Sequence, residues 1–183
     1  MLRRRQKAAA SPLAHVDPAL LPPRWGAVVA DALDARRRWV ELLERMRPGP
    51  LRDRLGELGA RVDEGVLAVW ETCVRAVDAE RITEALDVET VTRDYKRAKA
   101  DSAADPALVE ALSARFTSVQ RVLNSIDDAE QRLRLLDARL GAAVARAAEV
   151  ALTAGEGSED LGVELDAVVE ELGALRHALE TLG

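Results

Sequence analysis

Aromatic residues are scarce. One phenylalanine, one tyrosine and three tryptophans make up 3% of the 183 residues. The chain is still 48% hydrophobic, mostly Ala, Leu and Val, beside 32% charged residues, which is the composition of long helices and coiled coils. Strand signals are missing as well: there is no alternating Val/Thr/Tyr run and no Asn-Gly or Asp-Gly turn. A single cysteine, Cys73, excludes an intrachain disulfide and fits a reducing compartment. The two histidines, His15 and His177, stand near opposite ends of the chain. There is no His-x-x-x-His, no Glu-x-x-His and no cysteine pair, so no metal motif. No Gly-x-x-x-x-Gly-Lys loop offers a phosphate cradle. No apolar run approaches the ~20 residues that span a bilayer. The basic start is followed by Ala8-Ala-Ala-Ser-Pro12, too short for a signal-peptide core. These absences predict a cytoplasmic protein without catalytic residues, metal, cofactor or small-molecule substrate. The Asp and Glu residues are expected on solvated faces opposite the apolar stripes, and Cys73 as a small core residue.

Lysine is nearly absent too. Only Lys7, Lys96 and Lys99 occur, so 23 of the 26 basic residues are arginine, which with the many alanines suggests a GC-rich bacterial genome. A net charge of −6 and a pI near 5.1 argue against nucleic acid as a partner. The charge is uneven. Residues 1–50 hold ten Arg/Lys against five Asp/Glu, and residues 155–183 hold one Arg against eight Asp/Glu. The two ends are expected to attract each other or a partner.

What is present is helical periodicity. Residues 1–21 contain Pro12 and Pro18 without an amphipathic period and read as a disordered basic tail. Pro22-Pro23 opens a first helix with Trp25, Val28, Val29, Ala32, Leu33, Trp39, Leu43 and Met46 on one stripe. Pro48-Gly49-Pro50 ends it in a turn short enough to force an antiparallel neighbour. The second stripe is Leu51, Leu55, Leu58, Val62, Val66, Val69, Cys73 and Val77, an 11-residue repeat that implies nearly straight or slightly right-handed packing. Gly56, Gly59 and Gly65 lie off it. Around Leu86-Asp87-Val88 the pattern hesitates, and Asp87 is placed to cap a fresh start. Asp105-Pro106 opens the longest helix, free of proline to Gly155. Ser158 caps a last helix with the heptad Leu161, Leu165, Val168, Leu172, Leu175, Leu179 and Leu182.

The second stripe and the long one match. Folding about residues 101–105 sets Val62 against Val144, Val66 against Leu140, Cys73 against Leu133 and Val77 against Ala129; each pair of numbers sums to 206. Beyond the hesitation, Val88 with Val119, Val91 with Phe116 and Tyr95 with Leu112 sum to 207. A constant sum is the signature of an antiparallel pair. The expected fold is all-α: a long helical hairpin (about 51–100 and 106–154) flanked by two shorter helices. Together they make an up-down four-helix bundle (22–79 and 127–183) with a protruding coiled-coil stalk (80–126). The basic first helix is expected beside the acidic last one.

Two surface clusters remain as candidate sites. Arg93, Tyr95, Lys96, Arg97 and Lys99 stand at the stalk tip and suit a protein partner. Arg3, Arg4, Arg5 and Lys7 suit an anionic membrane surface, at ~1 kcal/mol per basic residue near lipid. The hairpin with shorter flanking helices resembles, in outline and over about residues 50–155, the phage-shock/ESCRT-III-like membrane-remodelling proteins. That resemblance assigns no residue a role, and residues 1–21 lack the amphipathic helix with which those proteins usually begin. The expected function is a non-enzymatic helical scaffold or adaptor offering its tip to a protein partner. The alternative is a self-assembling peripheral membrane protein of the membrane-stress type; an enzyme is a distant third.

Overall fold

Proline sets three of the helix starts. Pro23, Pro50 and Pro106 each take the first position of a helix, where a missing N–H leaves no bond unmade. They open α1 (Pro23–Arg45), α2 (Pro50–Ala85) and α4 (Pro106–Leu152). The Asp105 carboxylate caps α4 by accepting from the Ala107 N–H at 2.9 Å. With 47 residues, α4 is about 70 Å long. Helices α3 (Val88–Ala100) and α5 (Ser158–Glu180) complete an all-helical chain. The computed structural model describes residues 12–153 and 158–181, and among these there is no strand. Gly155, Gly157 and Leu182, and the basic cluster Arg3, Arg4, Arg5 and Lys7, lie outside the described residues.

The hesitation at 86–88 is a true break. Asp87 adopts φ 46°, the one positive φ of a non-glycine among the described residues. Asp is one of the few side chains that tolerate this conformation. Its carboxylate then accepts from the Thr90 N–H at 3.1 Å and starts α3. The Thr90 hydroxyl first, and then its N–H, hold the Asp87 carboxyl below its ordinary pKa.

Helices α1, α2, α4 and α5 share one core. Trp25, Trp39, Leu55, Val66, Cys73, Leu133, Leu140 and Leu165 are all fully buried in it. The buried apolar members run no further along α2 than Ala79, and on α4 they begin at Ile126. The α1–α2 turn brings Trp39 onto Gly59, where a Cβ would stand 3.2 Å from the indole Nε1. Arg36 and Asp63 pair across the same two helices at 2.5 Å. Between α2 and α4, Gly65 lies against Leu140, one residue from the opposition expected for Val66.

Two expectations are corrected. The first is disorder through residue 21. Residues 12–21 pack instead: Leu13 is buried, Val16 and Leu21 lean on the core, and Pro18–Leu20 form a 3₁₀ turn capped by Asp17. The cause is Gly26, whose missing side chain lets the Pro18 carbonyl rest on α1.

The second is the partner of the acidic helix. α5 packs on α2 and α4 rather than on basic α1. Its acids meet arginines there: Glu171 pairs with Arg139 at 2.9 Å and Glu164 with Arg146 at 3.4 Å. On α2 the pairs are Arg54–Glu159, Arg61–Asp166, Glu71–Arg176 and Arg75–Glu180, each 105 residues apart. A constant difference means that α2 and α5 run parallel.

Beyond the break, Tyr95 stacks on Phe116, with ring centroids 4.9 Å apart.

Candidate functional site

Helix α3 and the first third of α4 stand outside the main core. Val88, Val91 and Tyr95 recur at helical spacing and face α4, where Phe116 and Val119 receive them. Val91 and Val119 are buried, yet neither belongs to the core shared by the other helices. The segment therefore holds itself together with a small apolar contact of its own. The turn between its helices is tied by Asp101, whose carboxylate accepts from the Ala103 N–H at 2.9 Å.

The five tip residues named from the sequence divide between two faces of α3. Arg93, Lys96 and Arg97 are exposed and lie on the outer face at steps of three and four. Arg93 is engaged, donating to the Thr90 hydroxyl at 3.0 Å and standing 3.7 Å from Asp94. Lys96 and Arg97 have no acidic partner within 4.0 Å among the described residues. Tyr95 turns inward. Lys99, one turn further, sets its ammonium 5.6 Å from the Tyr95 ring centroid, a cation–π contact.

Tyr95 and Lys99 open onto a cleft of about 780 Å³ between the α3–α4 turn and the flank of α4. Its α4 side is lined by Pro106, Val109, Ser113, Thr117 and Arg121 among others. The sequence reading missed this side. Its only signal was a mixed stripe of small, polar and apolar residues with no clear amphipathic period. The outer basic face and the cleft are chemically different. One offers exposed cations; the other offers a tyrosine flanked by Phe116 and Lys99, with Arg121 at the far end.

A second feature lies at the edge of the shared core. Asp137 sits on the apolar stripe of α4, four residues past Leu133, against the expectation that acids avoid the stripes. It is half-buried, and its Oδ1 has no hydrogen-bond partner among the described residues. Burial pushes its carboxyl up to about 6; the nearby charge of Asp31 adds to this and Arg38 opposes it. Cys73 is fully buried on α2, its Sγ 3.8 Å from the Trp25 carbonyl. Burial, with the charge of Asp137, pushes the thiol up to about 12, so it stays protonated and inert as a nucleophile.

Near the start of α1, Arg24 pairs with Glu80 and, at 3.3 Å, with Glu130. The Trp25 indole N–H also donates to Glu80 at 3.1 Å. These contacts fasten α1 to α2 and α4. Among the described residues no three His, Cys, Asp or Glu side chains are grouped to hold a metal ion. No described helix is long and apolar enough to cross a membrane. No protein-family model, curated protein or solved structure matches this chain.

Proposed function

We propose that the chain is an up-down four-helix bundle carrying a helical stalk, and that it works as a non-enzymatic scaffold or adaptor presenting the α3–α4 tip to a protein partner. One observation carries this reading. The tip has its own apolar contact, separate from the main core, and so can be exposed and contacted without disturbing the rest of the protein. Its cations Lys96, Arg97 and Lys99 are not used by neighbouring acids, whereas many arginines of the main body are paired. Charges left available at a projecting end suit recognition and steering rather than stability.

The test compares the full chain with a variant in which residues 85–120 are replaced by a short turn. Helical circular dichroism and a cooperative melt establish that the shortened protein folds. The reading expects a soluble partner to be retained by the full chain and lost by the variant. Retention by both places binding on the main body and overturns it. Pelleting with anionic vesicles that survives loss of the tip, and depends on residues 1–7, favours the membrane-associated alternative.

A further inference from the structure

We infer that the cleft along α3 and α4 seats an amphipathic helix of a partner protein, with acidic residues along the edges of that helix's apolar face. The inference rests on the adaptor reading and adds the occupant. Shape is the first argument. Along α4 the lining recurs at Pro106, Val109, Ser113, Thr117 and Arg121, steps of three and four, so the cleft follows the helix axis. From Pro106 to Arg121 it runs about 22 Å, or four helical turns. Its long wall is α4, whose backbone groups bond internally, and no strand occurs among the described residues, so no sheet edge is on offer to an extended strand. An occupant lying along such walls must satisfy its own backbone, and a helix does.

Chemistry is the second argument. Tyr95, stacked on Phe116 and with the Lys99 ammonium over its ring, gives the cleft an aromatic edge beside Val109 for apolar side chains. Lys99 borders the cleft near its turn end and Arg121 at the far end, and neither has an acidic partner within 4.0 Å among the described residues. Glu110 is the one acid of the lining. The balance is cationic and asks for carboxylates flanking the apolar contact. In α5, the most acidic helix, Glu159, Asp166, Glu171 and Glu164 are engaged within their own molecule by Arg54, Arg61, Arg139 and Arg146, whereas Glu170 is not, among the described residues; a second copy as occupant is therefore an outcome the test must separate.

The test displays on phage a library of 18-residue amphipathic helices with a fixed leucine face and edges randomised among Glu, Lys and Gln. The full chain is the target. Glu-edged helices are expected to be enriched, and to lose about tenfold or more in affinity for the Lys99→Glu/Arg121→Glu variant. Lys-edged helices are expected to gain on that variant. Enrichment of Lys- or Gln-edged helices, no enrichment, or indifference to the double substitution overturns the inference. Helices indifferent to the double substitution but lost when 85–120 is replaced remove the cleft and leave the adaptor reading standing. Helices that survive the replacement remove both. Sedimentation showing a dimer of the full chain that Lys99→Glu/Arg121→Glu dissolves would put a second copy in the cleft and overturn the inference.

Discussion

Gly26 lies so close to Pro18 that a Cβ on it would stand 2.6 Å from the Pro18 carbonyl oxygen. The neighbour is backbone, so an added methyl cannot be absorbed by rotating a side chain. The contact fixes the 3₁₀ turn over the start of α1 and with it the burial of Leu13. Gly26→Ala is therefore expected to lift residues 12–21 from the core and cost about 1–3 kcal/mol, the usual scale of overpacking. Thermal melting and limited proteolysis check this. Cleavage within 12–21 should accelerate well before the helices unfold. An unchanged melt and cleavage pattern would disprove it.

Asp137 makes stability depend on pH in an unusual direction. Its carboxyl is held near 6 in the folded protein, above its ordinary value, because ionising it in the core is unfavourable. Between about pH 4 and 6 the folded chain therefore binds more protons at this site than the unfolded chain. The contribution is most favourable below the ordinary carboxylate pKa, falls as pH rises through this window, and is flat above it. Asp137→Asn removes the slope. Discounted for partial exposure, the variant should be more stable at pH 7 by on the order of 1 kcal/mol and no more stable at pH 4. The difference in urea midpoint between wild type and variant, followed across pH, is the measurement.

The ladder of ion pairs between α2 and α5 sets register more than strength. Arg61 and Asp166 are roughly half exposed, at 47% and 58% of their side-chain surface. Such a pair contributes about 0–1 kcal/mol. Leu165, beside it, is fully buried. Arg61→Ala should therefore shift the urea midpoint barely, while Leu165→Ala should cost about 2–5 kcal/mol. If the two variants were equally destabilised, the pairs rather than the leucines would be holding α5.

How much of this was legible depends on whether the cause is local. The starts at Pro23 and Pro106 were readable, because a proline's lost N–H is a fact about one residue; Pro50 was read as the end of the turn before α2 and proves to be its first residue. So was the break at Asp87, where an acid followed by a renewed stripe signals a cap. The packing of residues 12–21 was not, because the close approach of Pro18 to α1 depends on the absence of a side chain at Gly26, a residue well outside that segment. The placement of α5 was missed for a different reason. Summed charge pointed to basic α1, but pairing depends on single arginines at the right level, and those lie on α2 and α4. The Tyr95–Phe116 stack was not read, because a constant sum pairs positions and does not say which ring leans across a turn. The cleft escaped because its α4 wall mixes serine, threonine and valine.

Asp87 joins two costs that one substitution can separate. Its φ of 46° is unfavourable for any side chain, and its carboxylate repays part of that by capping α3 at Thr90. Asp87→Ala keeps the strain and loses the cap, and should destabilise the start of α3 by about 1–2 kcal/mol. Asp87→Gly relieves the strain, also loses the cap, and should cost only a few tenths. Because α3 lies outside the main core, the loss should stay local. Amide exchange should quicken at residues 88–95 in the alanine variant, while Leu133 and Leu140 keep their protection. Exchange quickening equally throughout the core would instead mean that the tip and the main body unfold as one unit.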